Sequence, residues 1–398
     1  MATRWARVTH EDQLAHDAWL SRAPEAAIEP ERPCVDAHHH LWTNHPSRTF
    51  VARFMIDELA EDVGSGHNIT HTVYMQSSSA GWVRADGPEE FQPVGESEFV
   101  QGVAVQGESG RYGACRIGAG IVGTVDLSLG AEVVEPVLLQ HRQVARNFRG
   151  VRFRGGQAES IPFGDAKFLS SLRVLERLDM TFDCNGPETH PLDFRGVLGG
   201  LASVAAACPS LRIIVNHCGG AVGPTAFAEE GKREEWEEGM AALAALPNVY
   251  AKVGGLQMQA NGFPLGSDSR GEQAGPVSSD ELLDKTHELY GHVIRLFGPK
   301  RCMVRSPLTL PPSLPPSLCT LSALCCTYRL CSACTSAWPV VISSAWHPRY
   351  AMMTLCPAAM ARRSSSRIFR STNGVCRTQR SGSEEDGPCL APLVTPRS

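Results

Sequence analysis

Between about residue 33 and residue 304, short apolar runs alternate with longer amphipathic stretches. Runs rich in β-branched residues, such as Ile213-Ile214-Val215, read as strands buried on both faces. Strands are expected at 33–37, 70–76, 118–124, 148–153, 180–183, 211–216, 249–253 and near 301–304. Helical periodicity fills the intervals at 51–63, 96–106, 131–146, 166–178, 197–208, 234–246 and 279–297. This alternation is the pattern of βα units on a parallel sheet. Eight strands and seven helices nearly complete a (β/α)8 TIM barrel, whose eighth helix belongs after residue 304. Periodicity does not count strands around a closed cylinder, so a doubly wound open sheet fits the same pattern.

The rhythm stops after Met303. The run Val304-Arg305-Ser306-Pro307 leads into Pro311-Pro312-Ser313-Leu314-Pro315-Pro316, where repeated prolines forbid a helix. The chain therefore divides into a polar arm over 1–30, a barrel over 31–303, and a Pro-, Ser- and Cys-rich tail over 304–398 in which the eighth strand–helix unit is missing or replaced. Two readings of the tail stand side by side. One is a disordered or proline-rich binding segment. The other is translated intron followed by a shifted frame, since valine codons begin with GT as introns usually do.

Cysteine placement sharpens that boundary. Six of the 14 cysteines lie in the first 303 residues, and eight crowd the last 95. Cys325, Cys326, Cys331 and Cys334 could supply four thiolates to zinc, but their spacing is tight and no flanking strands suggest a ribbon. Hydrophobic residues make up 42% and charged residues 20%, with a formal net charge of -5. No basic stripe argues for nucleic acid. No apolar run of about 18 residues argues for a membrane span, and no apolar leader follows Met1-Ala2-Thr3-Arg4-Trp5. A cytoplasmic protein acting on a small molecule is the expectation, with oligomeric state left open.

The strongest chemical signal is Asp36-Ala37-His38-His39-His40-Leu41-Trp42, at the C-terminal end of the first expected strand. Barrel active sites are built on that rim. Strand alternation puts His38 and His40 on one side, where two imidazoles can bind one divalent ion. Further along stand Gly150-Val151-Arg152-Phe153, Phe182-Asp183 with His190-Pro191, Asn216-His217-Cys218-Gly219-Gly220, Asn248 to Leu256, and Phe297 to Met303. Gln76 and Asp183 end the second and fifth strands and are candidates by position. Lys252, inside the seventh strand, needs a partner and reads as a structural ion pair or a substrate contact. Gly118 to Gly123 lies within a strand rather than after one, which argues against a phosphate loop. Glu229 to Glu238 reads as a solvated helix face with local ion pairs.

Taken in order, these blocks resemble the amidohydrolase-related branch of the amidohydrolase superfamily, which includes sugar lactonases, dicarboxylate lactone hydrolases and some non-oxidative decarboxylases. The resemblance implies that His38, His40 and His217 hold a divalent metal, zinc or else manganese. It implies that His217 binds metal or polarises the substrate carbonyl, with His190 as a further catalytic group. Arg152 becomes a contact for a substrate carboxylate or ring oxygen, with Gln76 and Asp183 as candidate contacts by position alone and Lys252 open between a contact and an ion pair. The implied reaction is hydrolysis of a small lactone. Decarboxylation of an aromatic or unsaturated acid is the alternative chemistry on the same barrel, and an inactive barrel with a PxxP tail is the alternative without chemistry. The chain departs from the family at the eighth strand, where an aspartate is commonly supplied and Val304-Arg305-Ser306-Pro307 offers no carboxylate.

Overall fold

The computed structural model describes residues 14, 18–19, 21–27, 29–42, 53–77, 82–153, 162–187, 192–256, 261–263 and 275–304. The expected Pro- and Cys-rich tail, its PxxP run and its cysteine cluster lie outside the described residues, as does His190. Eight parallel strands follow one another in spatial order β1 to β8. They are β1 Cys34–His39, β2 Ile69–Met75, β3 Arg116–Gly123, β4 Phe148–Phe153, β5 Thr181–Asn185, β6 Arg212–Asn216, β7 Val249–Val253 and β8 Cys302–Val304. The helices between them are α1 Ile56–Val63, α2 Val94–Gly107, α3 Ala131–Val144, α4 Ala166–Arg177, α5 Phe194–Ala207, α6 Lys232–Ala244 and α7 Ser279–Phe297. No described helix is long and apolar enough to cross a membrane.

Side chains on the outer face of the sheet pack against the helices in one continuous core that includes Phe148, Val151, Phe168, Leu172, Phe182 and Phe194. A second, small apolar cluster joins Ala37 of β1, Ile214 of β6 and Met303 of β8, with Tyr250 of β7 against it. Four strands reach this cluster from different sides, so it marks the barrel interior. It also brings β1 and β8 together, although they share no ladder bonds among the described residues. The barrel is therefore nearly closed.

The eighth strand is present as a three-residue stub, with Ala251 opposite Cys302, Lys252 opposite Met303 and Val253 opposite Val304. Arg301 fixes its entry. The guanidinium donates to the carbonyls of Leu246 at 2.8 Å, Val249 at 3.1 Å and Ala244 at 2.8 Å. The positions after residue 304, where an eighth helix belongs in a complete barrel, fall outside the described residues.

Helix starts follow local capping chemistry more closely than hydrophobic period. Asp165 accepts from the amides of Lys167 at 2.8 Å and Phe168 at 2.9 Å, and Asp193 accepts from Gly196 at 2.7 Å. The expected helix over 51–63 begins only at Ile56. Phe54 is held in an antiparallel bridge to Trp42, and Glu58 reaches back to the Met55 amide at 2.8 Å. From the arm, Glu25 accepts from the Ser279 amide at 2.9 Å and so caps α7.

His141 of α3 is a buried tie between helix and sheet. Its Nε2–H donates to the Thr124 carbonyl at 3.0 Å, which leaves Nδ1 to accept from the Ser97 hydroxyl at 2.8 Å. The ring stacks on Phe148 with centroids 4.7 Å apart. Burial lowers its pKa from 6.5 to about 4, opposed by the bond to Thr124. The folded pKa lies below the unfolded one, so the stability that neutral His141 contributes is present above pH 6.5. It is lost as pH falls towards 4, at up to about 1.4 kcal/mol per pH unit. Urea unfolding of wild type and His141→Gln between pH 7 and pH 4 should therefore give a steeper decline for wild type; parallel curves would refute the assignment.

Candidate active site

The histidine run sits where β1 breaks its regularity. Asp36 lies opposite Thr72 and His39 opposite Tyr74, so three steps on β1 match two on β2. Such a bulge resets which face each side chain takes. Ala37 packs inside the barrel, whereas His39 turns outward, donating to or accepting from Thr72 Oγ1 at 3.0 Å and resting edge-on against Tyr74. His38 and His40 share the interior, with Nε2 atoms 3.2 Å apart. His40 Nδ1 lies 2.6 Å from the Met75 carbonyl, which only accepts, so Nδ1 carries the proton and the Nε2 lone pair faces His38.

Across the barrel mouth, Asp183 of β5 accepts from Lys252 Nζ of β7 at 2.7 Å, and both side chains are buried. Burial pushes the Asp183 carboxyl up, and the charges of Lys252 and Arg152 pull it down. Arg152 stands opposite Asp183 on β4 and donates to the Gln76 carbonyl. Gln76 follows β2 and is buried, with Oε1 unpartnered; Asp183 Oδ2 is also buried and unpartnered. Two residues on from Asp183, Asn185 accepts from Asn216 Nδ2 at 2.9 Å. These two asparagines were not among the expected contacts. Their signal was the i, i+2 spacing that places Asn185 on the same strand face as Asp183.

His217 follows β6 in a left-handed turn. Its φ is 54°, followed by 56° at Cys218, 93° at Gly219 and 128° at Gly220. Two non-glycine residues in this region cost about 1–3 kcal/mol each and persist only where their surroundings hold them. A Cβ on Gly186 would collide with Gly219 O, so the turn after β6 lies directly on the chain that leaves β5. The His217 ring lies 4.9 Å from that of His38, tilted by 44°.

The structure thus brings His38, His40 and His217 together, and groups Gln76, Arg152, Asp183 and Lys252 by contact. His190 cannot be placed among them. The His38–His40 pair suits two imidazole ligands of a divalent ion, because the bond to Met75 fixes one tautomer in the way metal-bound histidines are oriented. A third donor is not assembled: among the described residues, no group of three or more His, Cys, Asp or Glu side chains could hold a metal ion. The 229–238 stretch carries surface pairs, such as Arg233 to Glu237 at 3.0 Å, but it is not a wholly solvated face: α6 begins at Lys232, and Trp236 within the run is fully buried. The glycines of 118–123 lie in β3.

A family model described as amidohydrolase matches residues 35–303. An L-fucono-1,5-lactonase of Burkholderia ambifaria is 25% identical over 242 residues, covering 58% of this chain and 70% of that protein. An amidohydrolase of Burkholderia multivorans with bound HEPES superposes with a TM-score of 0.54 at 19% identity, covering 77% of this chain and 94% of that one. A second crystal structure from that organism, with bound zinc, gives a TM-score of 0.51 at 18% identity over the same shares. At those identities the structural likeness speaks for the fold, and it agrees with the eight-stranded barrel described above. The family match spans most of the chain and runs from the first strand to the eighth, and the protein belongs to the amidohydrolase family.

Proposed function

We propose that this amidohydrolase-family protein hydrolyses a small lactone, a sugar lactone or a carboxylated cyclic ester. The observation that carries the reading is the pair of His38 and His40 Nε2 atoms converging at 3.2 Å, with the His40 tautomer set by Met75. The lactonase relative from Burkholderia ambifaria supports the substrate class. His38 and His40 are the residues that would hold a divalent ion such as zinc, which would polarise a carbonyl or acidify a water, and His217 stands beside them facing the same space.

The remaining residues divide the work around the ring. Water adds to the lactone carbonyl carbon, the ring C–O bond breaks, and the departing alkoxide takes up a proton to give a hydroxy acid. His217 donates a hydrogen bond to the carbonyl oxygen as negative charge develops there. His190 is a further polar group for the same oxygen or the leaving group. Arg152 presents a planar guanidinium to a ring oxygen or a carboxylate of the substrate. Lys252, held by Asp183, keeps one cationic donor at a fixed place in a water-poor mouth, where its field is little screened.

Two outcomes follow. Wild-type protein should release acid from sugar or carboxylated lactones, and His217→Ala should lower kcat/KM by about 10²–10⁴-fold. Chelation should remove the activity and added zinc restore it. Activity that survives chelation but is lost in His38→Ala would sink the metal-held reading, and CO2 in place of a ring-opened acid would transfer the protein to decarboxylation. Separately, Lys252→Met strands a buried carboxylate and should cost about 3–5 kcal/mol in urea unfolding. Adding Asp183→Asn to that variant should recover much of the loss; a double mutant no more stable than the single would show that the pair is not coupled.

A further inference from the structure

The left-handed turn that carries His217 is held from outside the barrel by a residue of the 229–238 run, which the sequence led us to expect as a solvated face. Trp236 lies in the second turn of α6 and is fully buried. Its indole Nε1–H donates to the Cys218 carbonyl at 2.8 Å. The ring is packed by Phe227 at 5.7 Å and by His292 of α7 at 5.1 Å between centroids. On the same turn, a Cβ at Gly219 would lie 2.6 Å from Met240 Sδ and 3.3 Å from Trp236 Nε1, so α6 presses on the turn with no room to spare. Two further ties complete the clamp. The Gly220 amide donates to the His217 carbonyl at 3.2 Å, and the Ala221 amide donates to the Pro187 carbonyl at 2.8 Å.

We infer that Trp236 is a positioning residue for His217: its N–H holds the Cys218 carbonyl, and through it the left-handed turn that sets the His217 ring beside His38. A peptide whose residues both adopt positive φ relaxes towards the right-handed region when its restraints go. The Cys218 carbonyl is adjacent to the His217 peptide, so relaxation there rotates the His217 side chain directly. A buried indole N–H requires an acceptor, and here the acceptor is the carbonyl of the turn that carries His217.

The kinetic part of the test rests on the lactonase reading, and the exchange and spectroscopic parts do not. Trp236→Phe keeps an aromatic filler and deletes the donor. Amide hydrogen exchange at Gly220 and Ala221 should accelerate about tenfold or more, with Val151 and Phe182 on distant strands unchanged. The His217 ring signals in a proton–carbon spectrum should move while those of His141 stay. For lactone hydrolysis, kcat should fall about 10²-fold with little change in KM. Leu243→Val, a core change on the same helix, should lower the melting temperature without any of these effects. Uniformly faster exchange across the barrel, or an unmoved His217 signal, would overturn the inference. So would an unchanged kcat in a variant whose turn has opened. If wild type hydrolyses no lactone, the substrate reading fails and the exchange and His217 signals still decide the role of Trp236. Should Trp236→Phe not fold, benzothienyl-alanine placed at position 236 substitutes sulfur for N–H at the same shape and carries the same predictions.

Discussion

Asp183 and Lys252 stand on strands separated by β6, so a 2.7 Å contact between them has to bridge the width of that strand through the barrel interior. Neighbouring parallel strands lie roughly 4.8 Å apart, and only a side chain as long as lysine covers two such steps. The pair is wholly buried, and taking both charges out of water is costly unless each oxygen and proton finds a partner. Arg152 supplies a second positive field on the carboxylate, which is the direction that opposes its desolvation. The interior is therefore divided by chemistry. Arg152, Asp183 and Lys252 contribute its charged groups from β4, β5 and β7, and a small apolar cluster of Ala37, Ile214 and Met303 lies on β1, β6 and β8.

From that pair the contacts run around the mouth of the barrel. Arg152 donates to the carbonyl of Gln76, and the residue before it, Met75, accepts from His40. His40 faces His38, His38 meets His217, and the next residue, Cys218, points its thiol at the Lys252 carbonyl from 3.8 Å. The circuit returns to the ion pair. Several of its links are backbone carbonyls at strand ends, so the side chains are oriented by the sheet itself rather than by loops. His40, Arg152 and Lys252 are held by neighbours whose places strand register fixes, whereas His217 is set by the turn after β6.

Most of the fold was legible because it rests on periodicity. The expected strands at 148–153 and 249–253 coincide with β4 and β7, and the expected helix at 279–297 coincides with α7. The fifth strand was read as ending at Asp183 but continues to Asn185, since a polar residue at a strand end looks like a loop when its inward partner Asn216 is not visible in sequence. The helix over 51–63 was read too long because the bridge from Trp42 to Phe54 pairs residues that hydrophobic period cannot connect. Lys252 was read as an ion pair or a substrate contact, and the geometry gives it Asp183 as partner. Trp236 left no functional signal, because it sits among the charged residues of the 229–238 run, which reads as a solvated face although this one side chain turns to the core.

Alternation placed His38 and His40 on one side and His39 on the other, as the structure has them, but it does not show the two backbone departures that bring the histidines together. Strict alternation along β1 would put Ala37 and His39 on one face, yet Ala37 packs inside and His39 turns out to Thr72. The bulge between them lets the strand change face and deliver both His38 and His40 to the interior. At β6 the regular ladder ends at Asn216, and a turn of positive φ takes over. A strand continuing in register would send His217 outward, because Asn216 faces inward to Asn185. The left-handed turn reverses that outcome and brings the ring to His38. Both departures are unfavourable in isolation and are held by neighbours, which is where a sequence locally at odds with its own element is expected to carry function.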